Sequence, residues 1–570
     1  MKTKYTLLTA LGLGLGLLGV ACSGDGNPAD GSGGTGGPGA GGSGTGSAPG
    51  AGGAGTGSAP GAGGDGQPSG GNGGDASGGN GGTGTGGGNP GSGGGPVVPE
   101  PDLVVSGPDT DARRVVNFWK EQPLTAGGTA ATITVTSATA KQDWKGFGGT
   151  FNEQGWAALT KLDATELAAV MTLLFDVNGG IGFDWGRIPM GPSDYAVERY
   201  HLSTAAGQFD IAHDKLADRG LIPFIKESQK YKGDMKYWAS PWTPPLWAKK
   251  SSADNIMEEG GYDKGIFDST KTADYAAFFV SWIDAYEKEG IPIDFVVPQN
   301  EPGWAQSYPT CAFGPATDST VNQERGVNDP VTFGPFIQAL HTALQATTYK
   351  TKVWFGTMSN DTYFDDFWSS LTDKSIVEGV CLQWATQPRV GTAVSAGKDV
   401  MASEHKCGNY PWLTAKATSY QDANRDNHLE SEAPNNYAYG EESWDLIKSW
   451  IDDGVNYYSA WNLVLDPGGF NLDDVRPWAQ NAMIVVKDDG SYAVTPYYYV
   501  FRHIAQYVDL GAKVVTVTGD ALAFKNPDGS VVVTVHNSGS AAADMVVSID
   551  GTMYTVNVPG RGWATINKKP

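Results

Sequence analysis

The segment FVVPQNEPGW, residues 295–304, starts as a short apolar strand and ends abruptly at polar residues. Its apolar start is typical of a buried parallel strand, and Pro302 has no backbone N–H with which to continue a ladder. In a barrel of parallel strands, the functional groups lie at the carboxyl ends of the strands, and this is where Asn300 and Glu301 stand. A loop glutamate in water is the alternative. The segment is therefore a candidate site that requires a second carboxylate and a barrel to hold both.

Segments of strand type and helix type alternate on both sides of this one. The helical segments repeat apolar residues at a period close to 3.6, and they are Asp163–Phe175, Thr272–Glu289, Val331–Ala346 and Glu441–Asp452. The predicted strands are Lys145–Phe151, Gly182–Pro189, Met235–Pro241, Asp294–Gln299, Lys352–Gly356, Gly379–Trp384, Asp399–Ser403 and Val455–Trp461. This order predicts the α/β class and a (β/α)8 TIM barrel over residues 145–507.

After residue 507 the apolar pattern changes to a period of two. Short strand-like segments between Ala512 and Ile566 are separated by turns such as residues 526–529. They predict a small C-terminal β-sandwich over residues 508–570. The segment Ala130–Ser137 also has strand character, so we expect residues 101–144 to contribute at least one strand to that sandwich.

Residues 1–22 have the pattern of an export signal. Lys2 and Lys4 precede an apolar stretch, residues 7–20, that is short and glycine-rich for a membrane span. Cys22 follows a small residue, as in a bacterial lipoprotein, where the cysteine is freed by cleavage and lipidated. The hypothesis is an exported lipoprotein of the bacterial cell surface or outer membrane, held to the membrane by its lipid. Secretion without an anchor is the alternative.

Residues 23–100 form a Gly/Ser-rich segment that contains no aromatic residue. Such a composition buries too little apolar surface to offset the entropy of ordering the chain. We therefore predict a disordered linker that precedes the folded part.

The charge and the composition limit the partners. The formal net charge of −23 at pH 7 disfavours nucleic acids, because phosphates would be repelled. The seven histidines show no ligand-like spacing, so neither a metal nor a cofactor is predicted. If Cys22 is lipidated, then Cys311, Cys381 and Cys407 can form at most one disulfide, and the sequence does not select the pair.

Polar and aromatic residues lie at or near the ends of several predicted strands. They are Arg187 and Asp194 for the second strand, Trp242 for the third, Asn300 and Glu301 for the fourth, Glu404 for the seventh and Trp461 for the eighth. Because these ends converge on one face of a barrel, their side chains should share a pocket. A protonated carboxyl and an ionised one, placed across a sugar, are what cleavage of a glycosidic bond requires. Tryptophan rings pack on the apolar face of a sugar. The predicted partner is therefore a carbohydrate.

Seven short motifs occur in order along the same region. They are GFGG at 146–149, GRIPMGPSDY at 186–195, ASPWTPPLW at 239–247, QNEP at 299–302, YPTC at 308–311, ASE at 402–404 and WNLVLDPGG at 461–469. Through them the chain resembles glycoside hydrolase family 30, the glucosylceramidase-like enzymes and their microbial β-1,6-glucanase relatives. The resemblance implies hydrolysis of β-glucosidic bonds, in a β-glucan or a glucosylceramide-like lipid, with retention of configuration through a covalent glycosyl-enzyme.

The resemblance also implies roles for the strand-end residues. Glu301 would be the acid/base, Glu404 the nucleophile and Asn300 the ligand of the sugar 2-hydroxyl. Arg187 would hold Glu404 ionised and oriented. Asp194, Trp242 and Trp461 would line the subsite of the sugar that is cleaved off.

One departure from the family pattern lies at the sixth strand, where the chain has Leu382-Gln383-Trp384-Ala385 and relatives commonly have His-Trp-Tyr. Because those side chains shape the leaving-group side, Gln383 and Ala385 leave the leaving group open, along with the linkage and the choice between endo and exo action. A xylanase- or galactanase-type specificity on the same fold is the alternative within the enzymes. Outside them, the alternatives are a non-catalytic carbohydrate-binding surface protein and a structural or adhesive one.

Overall fold

The computed structural model describes residues 102–108, 119–251, 261–314, 317–318, 324–325, 330–406, 437–473 and 480–570. Cys22, the predicted Gly-rich linker and Cys407 lie outside these residues. Cys311 and Cys381 are buried and free, so they are not bonded to each other. None of the helices in the described ranges is long and apolar enough to cross a membrane.

A parallel sheet closes into a barrel, as predicted. Its strands are Phe147–Thr150, Trp185–Pro189, Lys236–Ser240, Ile293–Val296, the two pieces Lys352–Val353 and Phe355–Met358, then Gly379–Gln383, Asp399–Glu404 and Tyr457–Asn462. The fifth strand is broken at Trp354. Its first piece pairs with the fourth strand and its second piece with the sixth, so the ring of eight strands closes across the break.

Helices follow the barrel strands and bury their apolar faces against them. They are Glu153–Leu159, Ala164–Phe175, Leu221–Gln229, Thr272–Lys288, Phe333–Gln345, Asp361–Ser370, Val390–Ser395, Tyr437–Asp453 and Pro496–Ala505. The helix Ala164–Phe175 begins after Asp163, whose carboxylate accepts the backbone N–H groups of Thr165 and Glu166. The four predicted helices are present, each within a few residues of its expected ends.

The C-terminal strands form the predicted β-sandwich. They are Lys513–Val517, Ala521–Lys525, Val531–Asn537, Ala543–Ile549, Thr552–Val558 and Gly562–Lys568. The early strand Ile133–Asp143 pairs with two of them, which confirms the expected pairing. The strands Leu103–Ser106 and Lys120–Gln122, which were not predicted, extend the same sheet. Leu103 and Val558, far apart in this nine-stranded sheet, share one apolar core, so the sheet folds over on itself.

Shorter strands lie in the loops. They are Lys249–Lys250, Ile266–Phe267, Trp304–Ala305, Thr317–Asp318, Glu324–Arg325, Val464–Leu465, Ile484–Val486 and Tyr492–Val494. The last two pair with each other, and Ile484–Val486 also pairs with Val464–Leu465, directly after the eighth barrel strand.

The barrel interior is layered. An apolar layer consists of Trp185, Trp238, Phe295, Val297, Trp354, Cys381, Met401 and Tyr457. Side chains alternate along a strand, so residues two positions further on, such as Arg187 and Gln383, point into the same interior and form a polar layer at the carboxyl ends.

Alternation alone would turn Ser403, not Glu404, towards the interior after Met401. The register of the sixth and seventh strands shifts after the Leu382–Ala402 pair, and this places Glu404 opposite Gln383. A bulge of this kind re-aims a side chain. It therefore brings Glu404 into the polar layer.

Candidate active site

Arg187 lies at the centre of the polar layer with a fully buried side chain. Its Nη1 donates to Glu404 Oε2, its Nη2 donates to Asn300 Oδ1 at 2.7 Å, and its Nε donates to Ser240 Oγ at 3.1 Å. Burial lowers the pKa of Arg187, and the Glu404 carboxylate opposes that shift. Since a guanidinium stays charged in proteins, Arg187 supplies a fixed cation beside Glu404.

The Asn300 amide is held by its oxygen. Oδ1 accepts from Arg187 Nη2 at 2.7 Å, from Thr357 Oγ1 at 2.8 Å and from Gln383 Nε2 at 2.9 Å. This leaves Nδ2 on the side of Glu301, 3.5 Å from its Oε2. Asn300 is thus oriented to donate its N–H₂ group towards a ligand that lies between the two glutamates.

Glu404 is almost fully buried, and its charge is compensated locally. Burial raises the pKa of Glu404, while the adjacent Arg187 lowers it through its charge and its hydrogen bond. Gln383 Nε2 lies 3.4 Å from the same Oε2. Because Arg187 and Gln383 both contact Oε2, Oε1 is the oxygen of Glu404 that remains for a ligand.

Glu301 is buried to a similar extent as Glu404, but the groups that donate hydrogen bonds to it are neutral. Tyr308 Oη donates to its Oε2 at 3.2 Å, the Ser359 hydroxyl also lowers the pKa of this carboxyl, and its Oε1 is buried without a hydrogen-bond partner within the described part of the chain. Burial, reinforced by the negative charge of Glu404, raises the pKa of Glu301 to about 8. The residue also has a φ of 48°, a left-handed conformation that is uncommon outside glycine and clusters at functional sites.

Aromatic rings line one side of the site. Trp242 and Trp461 stack with their centroids 5.4 Å apart, and the Arg187 guanidinium lies 4.4 Å from the ring centroid of Trp242. Trp461 Nε1 is fixed by a 2.9 Å hydrogen bond to Gln480 Oε1. The predicted tryptophans therefore face the same layer as the glutamates.

Asp194 reaches this aromatic group through its neighbour Tyr195, whose ring contacts Trp461 edge-on at 5.9 Å. Burial, with the charges of Glu404 and Glu301, raises the pKa of Asp194 well above its usual range. Its buried Oδ1 has no hydrogen-bond partner among the residues that the structure describes. A buried polar atom of this kind normally has a hydrogen-bond partner, so Oδ1 is suited to accept a hydrogen bond from a hydroxyl of a ligand.

The structure thus brings together all seven strand-end residues that the sequence indicated. It adds Ser240, Tyr308, Thr357 and Gln383, which contact those residues directly. Ser240 and Gln383 lie two residues after the inward-facing Trp238 and Cys381, a signal that the sequence contains, whereas Thr357 follows an irregularity in the fifth strand that the sequence does not reveal. Tyr308 lies in a loop, so the alternation of side chains along a strand does not predict its contact with Glu301.

The described residues contain no group of three or more His, Cys, Asp or Glu side chains that is placed to hold a metal ion. The acidic groups near Arg187 are arranged around that guanidinium instead. Carboxyl groups in this arrangement can transfer protons and act as nucleophiles.

Two family models match the chain. The glycosyl hydrolase family 30 TIM-barrel domain matches residues 144–318, and the glycosyl hydrolase family 30 beta sandwich domain matches residues 511–566. The first match includes Arg187 and Glu301 but ends before Glu404, which belongs to the site through its contact with Arg187.

Relatives match over most of their length. The lysosomal acid glucosylceramidase of Mus musculus is 24% identical over 458 residues, which are 74% of this chain and 80% of that protein. The endo-1,6-beta-D-glucanase BGN16.3 of Trichoderma harzianum is 24% identical over 451 residues, 74% of this chain and 84% of that protein. Among solved structures, SrfJ from Salmonella typhimurium has the same fold, with a TM-score of 0.66 at 19% identity, over 82% of this chain and 99% of that one.

Proposed function

The chain belongs to glycosyl hydrolase family 30, and on that premise we propose that it is a retaining β-glycosidase acting on β-glucosidic bonds. In this proposal Glu404 is the nucleophile and Glu301 is the acid/base. The observation that carries it is the unequal environment of two buried glutamates on either side of Asn300. Only Glu404 has a cation as its direct partner, whereas Glu301 is held by neutral groups.

The first step forms the glycosyl-enzyme. Glu404 Oε1 attacks the anomeric carbon, the bond from that carbon to the glycosidic oxygen breaks, and Glu301 gives its proton to the departing oxygen. Arg187 keeps Glu404 ionised for the attack. The unpartnered Oε1 of Glu301 is where its proton can meet the leaving oxygen.

The second step returns the enzyme to its starting state. Glu301, now a carboxylate, accepts a proton from water, and the water oxygen attacks the anomeric carbon from the face that the leaving group vacated. The bond to Glu404 breaks, and its carboxylate returns to Arg187. Two inversions at the same carbon give net retention.

The sugar of the cleaved bond fits between the glutamates and the tryptophans. Three donors hold Asn300 Oδ1, and this orients Nδ2, which has only a 3.5 Å contact with Glu301 Oε2, to donate to the 2-hydroxyl. Trp242 and Trp461 supply apolar faces, and Asp194 Oδ1 supplies an acceptor. The names of the relatives, glucosylceramidase and endo-1,6-β-D-glucanase, support a β-glucoside as the substrate, either a β-1,6-glucan or a glucosylceramide-like lipid.

The test is a panel of β-1,6-glucan, β-1,3-glucan, xylan, galactan and glucosylceramide, with product analysis and NMR detection of the first anomer formed. We expect glucose or gluco-oligosaccharides, released initially as the β-anomer. An α-anomer as first product would refute the double displacement. Release from xylan or galactan alone would refute the β-glucoside specificity and favour the alternative within the family. Binding of glycan without any product would favour a non-catalytic protein.

We also propose that the protein is exported and anchored by lipid at Cys22, as residues 1–22 predict. Mass spectrometry of the N-terminal peptide from membranes should show a diacylglycerol-modified cysteine. A Cys22→Ala variant should be lost from the membrane fraction and should keep its hydrolytic activity. An unmodified Cys22 in protein released to the medium would instead indicate plain secretion.

A further inference from the structure

Gln383 is the last residue of the sixth barrel strand, and its side chain is fully buried. Its Nε2 lies 2.9 Å from Asn300 Oδ1, 2.8 Å from Thr357 Oγ1 and 3.4 Å from Glu404 Oε2. One amide group therefore contacts both the proposed 2-hydroxyl ligand and the proposed nucleophile.

The direction of this amide is fixed by its neighbours. Asn300 Oδ1 and an ionised Glu404 are acceptors only, so the N–H₂ group must face them. A reversed amide would place an oxygen against both of these oxygens. Gln383 is thus a donor to the two groups whose orientation the glycosylation step requires.

A neutral donor also fits the charge of this layer. Glu301, Glu404 and Asp194 all interact electrostatically with the single guanidinium of Arg187. A carboxyl at position 383 would add negative charge and, when ionised, would lose the donor. An imidazole there would titrate in the neutral range. The glutamine amide gives the hydrogen bonds without either change.

We propose that Gln383 is a positioning residue for glycosyl transfer, acting through Asn300 on the sugar 2-hydroxyl. Its amide shares with Arg187 and Thr357 the task of holding Asn300 Oδ1, and this aims Asn300 Nδ2 at the substrate. The hydrogen bond to the 2-hydroxyl strengthens in the transition state. Loosening Asn300 should therefore reduce kcat more than it changes KM. This inference rests on the proposed function.

The test compares Gln383→Ala with the wild type on 4-nitrophenyl β-D-glucoside and on its 2-deoxy analogue. We expect kcat/KM to fall about 10- to 100-fold on the glucoside, mostly in kcat, because the contact acts in the transition state. On the 2-deoxy analogue, which has no 2-hydroxyl to bind, the fall should be no more than about threefold. An equal fall on both substrates, or none on the glucoside, would overturn the inference.

The matched control is Thr386→Val. Thr386 Oγ1 accepts the backbone N–H of Gln383 and contacts the backbone oxygens of Gln383 and Met358, so its loss loosens the same turn while the partners of the Gln383 N–H₂ group remain in place. We expect this variant to show no preference between the two substrates. A substrate preference equal to that of Gln383→Ala would mean that the turn, not the amide, is responsible, and would also overturn the inference.

Gln383→Glu provides a second test that preserves the shape of the side chain. The new carboxyl can donate to Asn300 only when it is protonated, and when ionised it raises the pKa of Glu404 by repulsion. We expect kcat/KM relative to wild type to be highest at acidic pH and to fall as pH rises. A profile parallel to that of wild type would count against the role. A wild-type enzyme that releases no product from the two glucosides, from β-1,6-glucan or from glucosylceramide would refute the proposed function itself, and the inference with it.

Discussion

The surroundings of Glu301 and Glu404 differ in the charge of their direct partners. Both side chains are nearly fully buried, with relative exposures of 4% and 6%, so burial does not distinguish them. Glu404 contacts the guanidinium of Arg187, whereas Glu301 contacts the hydroxyl of Tyr308 and the amide of Asn300. A single cation, placed on one side of Asn300, separates the two environments.

This difference explains how similar residues can have opposite protonation states. An opposite charge favours the ionised form of Glu404, and that ionised form in turn disfavours ionisation of Glu301. In the proposed mechanism the two carboxyls are coupled, because the negative charge of Glu404 helps to keep the proton on Glu301.

Replacing the carboxylate that contacts Arg187 should abolish turnover. We expect Glu404→Gln to reduce kcat/KM for 4-nitrophenyl β-D-glucoside by at least about 10³-fold, since no oxygen remains that can form the glycosyl-enzyme. The matched control is Glu441→Gln, because Glu441 also pairs with an arginine, Arg561, at a distance from the site. Comparable activity losses in the two variants would contradict the role of Glu404.

Replacing the carboxyl that has neutral partners should give a loss that depends on the leaving group. We expect Glu301→Gln to lose about 10²- to 10⁴-fold on poor leaving groups, and much less on 2,4-dinitrophenyl β-D-glucoside, which needs no proton. Added azide should restore turnover of the activated substrate and yield the β-glucosyl azide. If azide instead rescued Glu404→Gly in that way, with a β-product, the two roles would be exchanged.

Removing the cation itself should make the two environments alike. In Arg187→Met, Glu404 stays buried without its partner, so its pKa should rise and the acidic limb of the kcat/KM profile should move to higher pH. Breaking a buried ion pair also costs about 3–5 kcal/mol of unfolding free energy, which urea denaturation would measure. Arg187→Lys keeps the charge and should move the acidic limb less. If the acidic limb of the kcat/KM profile stayed at its wild-type pH in Arg187→Met, the cation would not set the pKa of Glu404.

The sequence predicted the barrel and the strand-end residues because both follow from local patterns. Alternating strands and helices defined the fold, and the end of each strand defined a position on one face. Glu301 was identified in this way from a single segment. The roles of Glu301 and Glu404, in contrast, came from the resemblance and remain predictions.

Three features of the structure were not predicted, because they depend on contacts between distant parts of the chain. The inward direction of Glu404 results from a register shift between two strands, which alternation within one strand does not reveal. The fifth strand breaks at Trp354, and its two pieces pair with different neighbours. Leu103–Ser106 was missed because a four-residue strand has too short a pattern, and its partner lies more than 400 residues further along the chain.

Tyr308 is one of the neutral partners of Glu301, and its removal should have a smaller effect than the changes to the glutamates and to Arg187. Its hydroxyl donates to Oε2 and thereby favours the ionised form, so Tyr308→Phe should raise the pKa of Glu301 above its value of about 8. Because the proposed acid Glu301 must be protonated to act, the alkaline limb of the kcat/KM profile should move to higher pH, by about one unit. The control is Tyr195→Phe, since Tyr195 Oη donates to the backbone oxygen of Gly469 instead of a carboxylate. If the alkaline limb instead moved to lower pH in Tyr308→Phe, the hydroxyl would stabilise the protonated carboxyl. Glu301 would then keep its proton because of this contact and not because of burial beside Glu404.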